Sequence, residues 1–183
     1  MARNPRLVLL NGPPAAGKTT VAAALRARFA GTSRLAVLEH DDFALMAGAP
    51  AAGEASVRTW TAGLHALAAA AHAYVEADFS VLVVVNNGRA RKALLERLLE
   101  PIPIRHVLLL PSWEVNHARV LERRSAVSPP ALPYIGVDAH RQFYQDLCSM
   151  AADGEFDEVI DSGDENFEMT ETHLTHHLGL PAG

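Results

Sequence analysis

The chain has 183 residues, 49% of them hydrophobic and 20% charged, with a formal net charge of −5 and a pI near 6.0. That length and composition fit one globular domain over residues 1–183 and exclude long disorder. The acidic balance argues against a protein whose task is to grip nucleic acid, because such affinity comes largely from basic groups on phosphates. The single cysteine, Cys148, excludes an internal disulfide. The apolar run after Arg6 stops at Asn11, too short for a secretion signal or a membrane span, and no other stretch reaches membrane length without charge. These features predict a cytoplasmic protein.

Strand and helix patterns then alternate along the chain. Residues 6–11 are a short apolar run closed by a glycine-containing loop, the first predicted strand. Residues 19–29 read as a helix, with Val21, Leu25 and Phe29 four apart on one face. Residues 35–39 are the second strand, and His40-Asp41-Asp42-Phe43 follows at its C-terminal end. Residues 44–54 hold Gly48, Pro50 and Gly53 and read as a loop. Ser56 is placed to cap a long helix reaching residue 77, whose apolar stripe is Val57, Trp60, Leu64, Leu67, Ala71 and Tyr74. Residues 80–85 are the third strand, apolar on both alternating sets, as in a strand covered on two faces. Asn86-Asn87-Gly88 turns into a helix over 89–99 that Pro101 and Pro103 end. A fourth strand (104–110), a helix (113–124), a proline-stiffened loop (125–134), a helix (137–150), a fifth strand (156–160) and a closing helix (169–178) complete the chain.

This alternation argues for an α/β fold with a parallel sheet wrapped by helices on both faces. Ligands of such sheets bind at the C-terminal ends of the strands. The segments to examine are therefore 11–20, 40–43, 86–88, 111–112 and 161–166.

The first of them carries the sharpest signal. Gly12-Pro13-Pro14-Ala15-Ala16-Gly17-Lys18-Thr19 matches G-x-x-x-x-G-K-[ST], between a predicted strand and a predicted helix, which is the context its mechanism requires. The two glycines let backbone N–H groups curl around a β-phosphate, and the helix behind them directs its positive end at the same group. Lys18 is expected on the β- and γ-phosphates, and the Thr19 hydroxyl on Mg²⁺. Thr20 extends the nucleotide-binding segment into the helix.

With this loop, the Asp after the second strand and the Arg119-Val120-Leu121-Glu122-Arg123-Arg124 run, the chain resembles the small P-loop kinases. These include the shikimate and gluconate kinases, the chloramphenicol phosphotransferases and the nucleoside and nicotinamide riboside kinases. The resemblance spans residues 6–178 in element order and implies a strand order of 2-3-1-4-5, ATP and Mg²⁺ as cofactors, and phosphoryl transfer to a hydroxyl of a small molecule. His40-Asp41-Asp42-Phe43 is similar to the Gln-Asp-Asp-Phe form of nicotinamide riboside kinases, whose first Asp is the base. Carried over, that role falls on Asp41, leaving Asp42 for the metal shell or the local turn; the alternative is that the pair only caps a helical turn at Phe43. Arg119 and Arg123 lie four apart on one helical face. The resemblance places one guanidinium on adenine and the other on the transferred phosphate, tasks that suit a planar, permanently charged fork. The alternative is a solvated charged face with Glu114 and Glu122.

The departures are also informative. Many relatives carry an Asp at the end of the third strand, where this chain has Asn86-Asn87-Gly88; these asparagines are read either as partners of an acceptor hydroxyl or as a plain Asn-Gly turn. The lid, around 124–134, is short and proline-rich. The loop 161–166 is expected to cradle adenine through its backbone. His173, His176 and His177 read as surface histidines with no further metal ligand at a suitable spacing. Trp60 reads as core, and Arg58 as a possible anchor for an acidic or polyhydroxyl acceptor. Two other functions stay open: an ATPase or switch module without a small-molecule acceptor, and a nucleic-acid 5′-hydroxyl kinase using Arg89, Arg91, Lys92, Arg97 and Arg105.

Overall fold

The computed structural model describes residues 6–31, 34–48, 54–126, 136–163 and 167–181, with Arg124 and Ala126 described by their backbone alone. The elements in chain order are β1 (Leu7–Asn11), α1 (Lys18–Arg28), β2 (Leu35–Glu39), α2 (His40–Leu45), α3 (Glu54–Glu76), β3 (Ser80–Val84), α4 (Arg89–Leu99), β4 (Ile104–Leu109), α5 (Trp113–Ala126), α6 (Val137–Ala152), β5 (Glu158–Ile160) and α7 (Phe167–His177). The five strands form one parallel sheet in the order β2-β3-β1-β4-β5, the arrangement the resemblance implied.

Alternation along the strands builds two cores. Val8, Leu10, Leu82 and Val84 face one way and pack with Val21, Leu25 and Leu174 from α1 and α7. Leu7, Leu9, Val81 and Val83 face the other way and pack with Leu64, Leu67, Leu95 and Leu99 from α3 and α4. A smaller cluster of Leu108, Leu147, Met150 and Phe156 seats α6. Each fully buried leucine contributes about 1.5–3 kcal/mol through burial. The sheet is thus fixed from both sides, and its C-terminal edge is a firm base for the loops.

Local differences from the sequence reading have physical causes. The segment 40–45, part of which reads as loop, is the short helix α2, which begins directly at the end of β2. Asp41 and Asp42 lie in its first turn, where carboxylates favour the positive helix end. Ser56 is not the cap of α3, because the helix already starts at Glu54. The stripe of α3 is narrower than expected: Val57 and Tyr74 are exposed, while Gly63, Leu64, Leu67, Ala68 and Ala71 are buried. The expected lid falls mostly on residues 127–135, which lie outside the described residues.

On the far side of the fold, Glu158 of β5 stands between two α7 histidines, 2.5 Å from His173 Nδ1 and in short contact with His177 Nε2. Burial alone would raise the Glu158 carboxyl, but the hydrogen bonds from His177 and His173 outweigh it and hold the group below its ordinary value. These histidines therefore brace β5 against α7 and are not simple surface residues. Among the described residues no group of three or more side chains would hold a metal ion.

The placement of α2 matters most for the site. It crosses α3 closely because small residues meet there: a Cβ on Gly63 would lie 2.9 Å from the Ala44 nitrogen and 3.0 Å from its Cα. Next to this crossing, His40 Nε2 lies 3.0 Å from the Trp60 carbonyl, and the two rings meet edge to face at 5.3 Å. A carbonyl only accepts, so Nε2 carries the proton. Burial pushes the His40 imidazole below its usual value, which keeps it neutral near pH 7. Gly63→Val places bulk against backbone that cannot yield by rotamer change. The expected result is a loss of about 1–3 kcal/mol in denaturant unfolding, together with a displaced α2; an unchanged unfolding midpoint would show that this close crossing is not a constraint.

Candidate active site

The site begins with a buried asparagine at the end of β1. Asn11 Oδ1 accepts from the backbone nitrogens of Gly12 (2.9 Å) and Asn87 (3.0 Å), and Asn11 Nδ2 donates to the Asn87 carbonyl at 2.7 Å. One side chain thus ties the start of the loop to the turn after β3. Gly12 is required by proximity, since a Cβ there would lie 2.6 Å from the Leu109 carbonyl oxygen. Gly17 is the N-cap of α1, with φ 97°, and no side chain caps that helix end. Ala15, at φ 60°, holds a left-handed conformation without being glycine, a strain of order 1–2 kcal/mol that the surrounding contacts must offset.

Lys18 is buried, and its ammonium donates to the Gly12 carbonyl (2.9 Å) and the Pro13 carbonyl (2.8 Å). Burial lowers its pKa to about 7, helped by the positive charge of Arg123 and opposed by the negative charges of Asp41 and Glu39. The structure therefore brings Asp41, Glu39 and Arg123 each within electrostatic reach of Lys18 at the C-terminal edge of the sheet. Asp41 is half-buried, whereas Asp42, one residue further round α2, is exposed. The carboxylate that meets Thr19 belongs to Glu39: Thr19 Oγ1 donates to Glu39 Oε2 at 3.0 Å. The sequence reading gave Glu39 no role, because an acid closing a strand looks like any solvated strand end.

Helix α5 adds further contacts. Both terminal nitrogens of Arg119 donate to the Ser162 carbonyl at 3.2 Å, and Ser162 Oγ donates to the Ala16 carbonyl at 2.8 Å. Arg119 thus reaches the loop after β5, which was expected to hold adenine; residues 164–166 of that loop lie outside the described residues. Arg123, one turn along α5, is exposed. The Asn86 side-chain oxygen and both amide atoms of Asn87 are buried with no hydrogen-bond partner among the described residues. Trp60 is half-buried and Arg58 exposed. Of the basic residues considered for a nucleic-acid groove, Arg89 pairs with Asp153 and Glu155, Lys92 with Glu96 and Glu155, and Arg105 with Asp157.

Sheet order, loop and flanking helices together define a small P-loop kinase fold. The chain belongs to the AAA domain family, whose profile matches residues 7–147. No curated protein matches it. Among solved structures it is similar to the tunicamycin resistance protein of Deinococcus radiodurans, at 20% identity over 97% of each chain with a TM-score of 0.67. It is also similar to shikimate kinase of Acinetobacter baumannii in complex with shikimate, at 17% identity over 96% of this chain and 94% of that one, TM-score 0.63. APS kinase of Mycobacterium tuberculosis in complex with AMPPNP and APS matches at 16% identity over 96% of this chain and 98% of that one, with a TM-score of 0.63. At these identities the likeness establishes the fold.

The low pKa of Lys18 has a measurable consequence. A polyphosphate stabilises the charged ammonium, so the lysine of the free protein must take up a proton as the anion binds once the pH is above about 7. Affinity for AMPPNP should fall as pH rises from about 7 to about 9. Calorimetry at pH 8 in buffers of different ionisation enthalpy should register proton uptake, and the uptake should disappear in Lys18→Met. Uptake of equal size in the variant would assign the proton to another group.

Proposed function

We propose that this protein is an ATP-dependent phosphotransferase that moves the γ-phosphate of ATP to a hydroxyl of a small molecule. The observation that carries the reading is the convergence of Lys18, Asp41, Glu39 and Arg123 beside the loop. One carboxylate beside the loop serves the metal in any P-loop protein; with Glu39 beside Thr19, Asp41 is a second carboxylate left to orient an acceptor hydroxyl.

Each residue then has a task. The backbone N–H groups of the loop and the N-terminus of α1 hold the α- and β-phosphates. Lys18 leaves the Gly12 and Pro13 carbonyls for the β- and γ-phosphates. Thr19 Oγ1 and Glu39 Oε2 are hard oxygen donors 3.0 Å apart, a pair suited to Mg²⁺ directly or through water. That ion would neutralise charge on the β- and γ-oxygens. Asp42, the metal residue expected from the sequence, is the competing candidate. Asp41 orients the acceptor hydroxyl. The acceptor oxygen forms a bond to the γ-phosphorus, the bond from that phosphorus to the β–γ bridging oxygen breaks, ADP departs, and the hydroxyl proton passes to Asp41 or to water. Arg123 meets charge developing on the transferred group, and Arg119 closes the adenine side. Asn86 and Asn87, in the turn that Asn11 ties to the loop, would offer their unused hydrogen-bonding atoms to an acceptor hydroxyl.

A coupled ADP-release screen across sugars, nucleosides, shikimate-like acids and aminoglycoside or phenicol antibiotics tests the reading. The expected result is ADP release that depends on one acceptor class; release that no acceptor stimulates would point to an ATPase or switch. With the acceptor in hand, Asp41→Asn should lower kcat by about 100-fold or more, the scale of a positioned base, with AMPPNP affinity nearly unchanged. Glu39→Gln should raise the Mg²⁺ concentration needed for half-maximal rate, and Asp42→Asn should leave it in place. The opposite pattern would transfer the metal to Asp42.

A further inference from the structure

Two buried polar side chains outside the expected site are joined to the loop. Asn116 of α5 is fully buried, and its Nδ2 donates to the Pro14 carbonyl at 2.7 Å. Its Oδ1 lies 2.8 Å from Nε2 of His140, a residue of α6 that is only 1% exposed. We propose that Asn116, held in orientation by His140, is a positioning residue for phosphate binding: it turns the Pro14 carbonyl away from the nucleotide and so links α5 and α6 to the loop. The proposal rests on the reading of the loop as a nucleotide site.

The chemistry of the loop explains the need. Pro13 and Pro14 lack N–H groups, so the first half of the loop offers few donors to bond its own carbonyls. Each of those carbonyls is a partial negative charge that would repel a phosphate if it swung inward. Nearly all of them are instead engaged: Gly12 and Pro13 by Lys18 Nζ, Pro14 by Asn116, Ala16 by Ser162 Oγ, and Gly17 by the Val21 nitrogen. When Lys18 moves to a bound phosphate it frees the Gly12 carbonyl, while the Pro13 carbonyl keeps the Ala16 nitrogen at 3.3 Å. The Asn116 and Ser162 bonds do not depend on Lys18 and hold the loop through that exchange.

The direction of the bonds is fixed by donor and acceptor logic. The Pro14 carbonyl only accepts, so the Asn116 amide nitrogen must face it and the amide oxygen must face His140. His140 must then carry a proton on Nε2. Burial, with the nearby His117 adding to it, lowers the His140 pKa and favours the neutral ring that supplies this single proton. The ring is itself wedged in place. Trp113 lies 5.1 Å from His140, is stacked with His117 at 5.0 Å, meets Tyr144 at 5.4 Å and has the Arg141 guanidinium 4.9 Å from its centre. Tyr144 also donates to the Pro111 carbonyl at 2.7 Å.

The test is AMPPNP and adenosine binding by calorimetry, with thermal melts as a control for folding. Asn116→Ala should weaken AMPPNP binding roughly 5–10-fold, the scale of one buried hydrogen bond, and leave adenosine binding in place. His140→Leu should produce a similar loss, and His140→Gln, which retains an N–H donor, should restore most of it. The double variant N116A/H140L should be no worse than N116A, because His140 acts through Asn116. If Asn116→Ala does not fold, the His140→Leu and His140→Gln pair carries the test alone. AMPPNP affinity within twofold of wild type in Asn116→Ala or His140→Leu, equal losses for adenosine, or additive losses in the double variant would overturn the proposal. Failure of the wild-type protein to bind AMPPNP would overturn the nucleotide reading itself.

Discussion

A backbone that wraps a phosphate must present its N–H groups to the anion, and its carbonyls must then be satisfied from behind. Much of the described structure answers that constraint. The sheet sets the C-terminal ends of β1 and β3 side by side, and Asn11 locks them together with three hydrogen bonds. Gly12 passes under the Leu109 carbonyl where no side chain fits. Asn116 of α5 holds the Pro14 carbonyl, and Ser162 of the loop after β5 holds that of Ala16. The loop's shape is therefore set by the elements around it, which hold a segment containing a strained Ala15 and two prolines.

The charges of the site follow from the same geometry. Lys18 lies in the loop's interior, where burial disfavours its ammonium. Asp41 and Glu39 partly restore the charged form, and they can do so because α2 begins immediately at the end of β2. The His40–Trp60 hydrogen bond and the Gly63–Ala44 crossing fix α2 against α3. Asp41, the carboxylate proposed to face the acceptor, is thus positioned through the packing of its own short helix on α3. A bound polyphosphate would stabilise the ammonium that burial disfavours.

The sequence made the fold legible because each signal was local. Short continuous apolar runs marked the strands, apolar residues about four apart marked the helices, and the glycine-lysine-threonine spacing marked the loop between the first of each. What escaped depended on distance in the chain. Asn116 lies 102 residues from Pro14, and Ser162 lies 146 residues from Ala16, so neither partner carries a local sign of the contact. Glu39 looked like a strand end, and its proximity to Thr19 exists only once β2 and α1 are assembled. Glu158 bracing His173 and His177 likewise needs β5 and α7 side by side. The short helix α2 was obscured because the glycines and prolines that follow it dominate the local signal.

The most direct measurement is a crystal structure of the protein with AMPPNP and Mg²⁺. The account predicts that Lys18 Nζ leaves the Gly12 and Pro13 carbonyls for oxygens of the β- and γ-phosphates, while the Pro14 and Ala16 carbonyls remain on Asn116 and Ser162. It further predicts that the Asp41 carboxylate faces the space in line with the γ-phosphate, where an acceptor hydroxyl would stand. A nucleotide bound away from the loop, or Lys18 still held by the loop's own carbonyls beside a bound nucleotide, would contradict it.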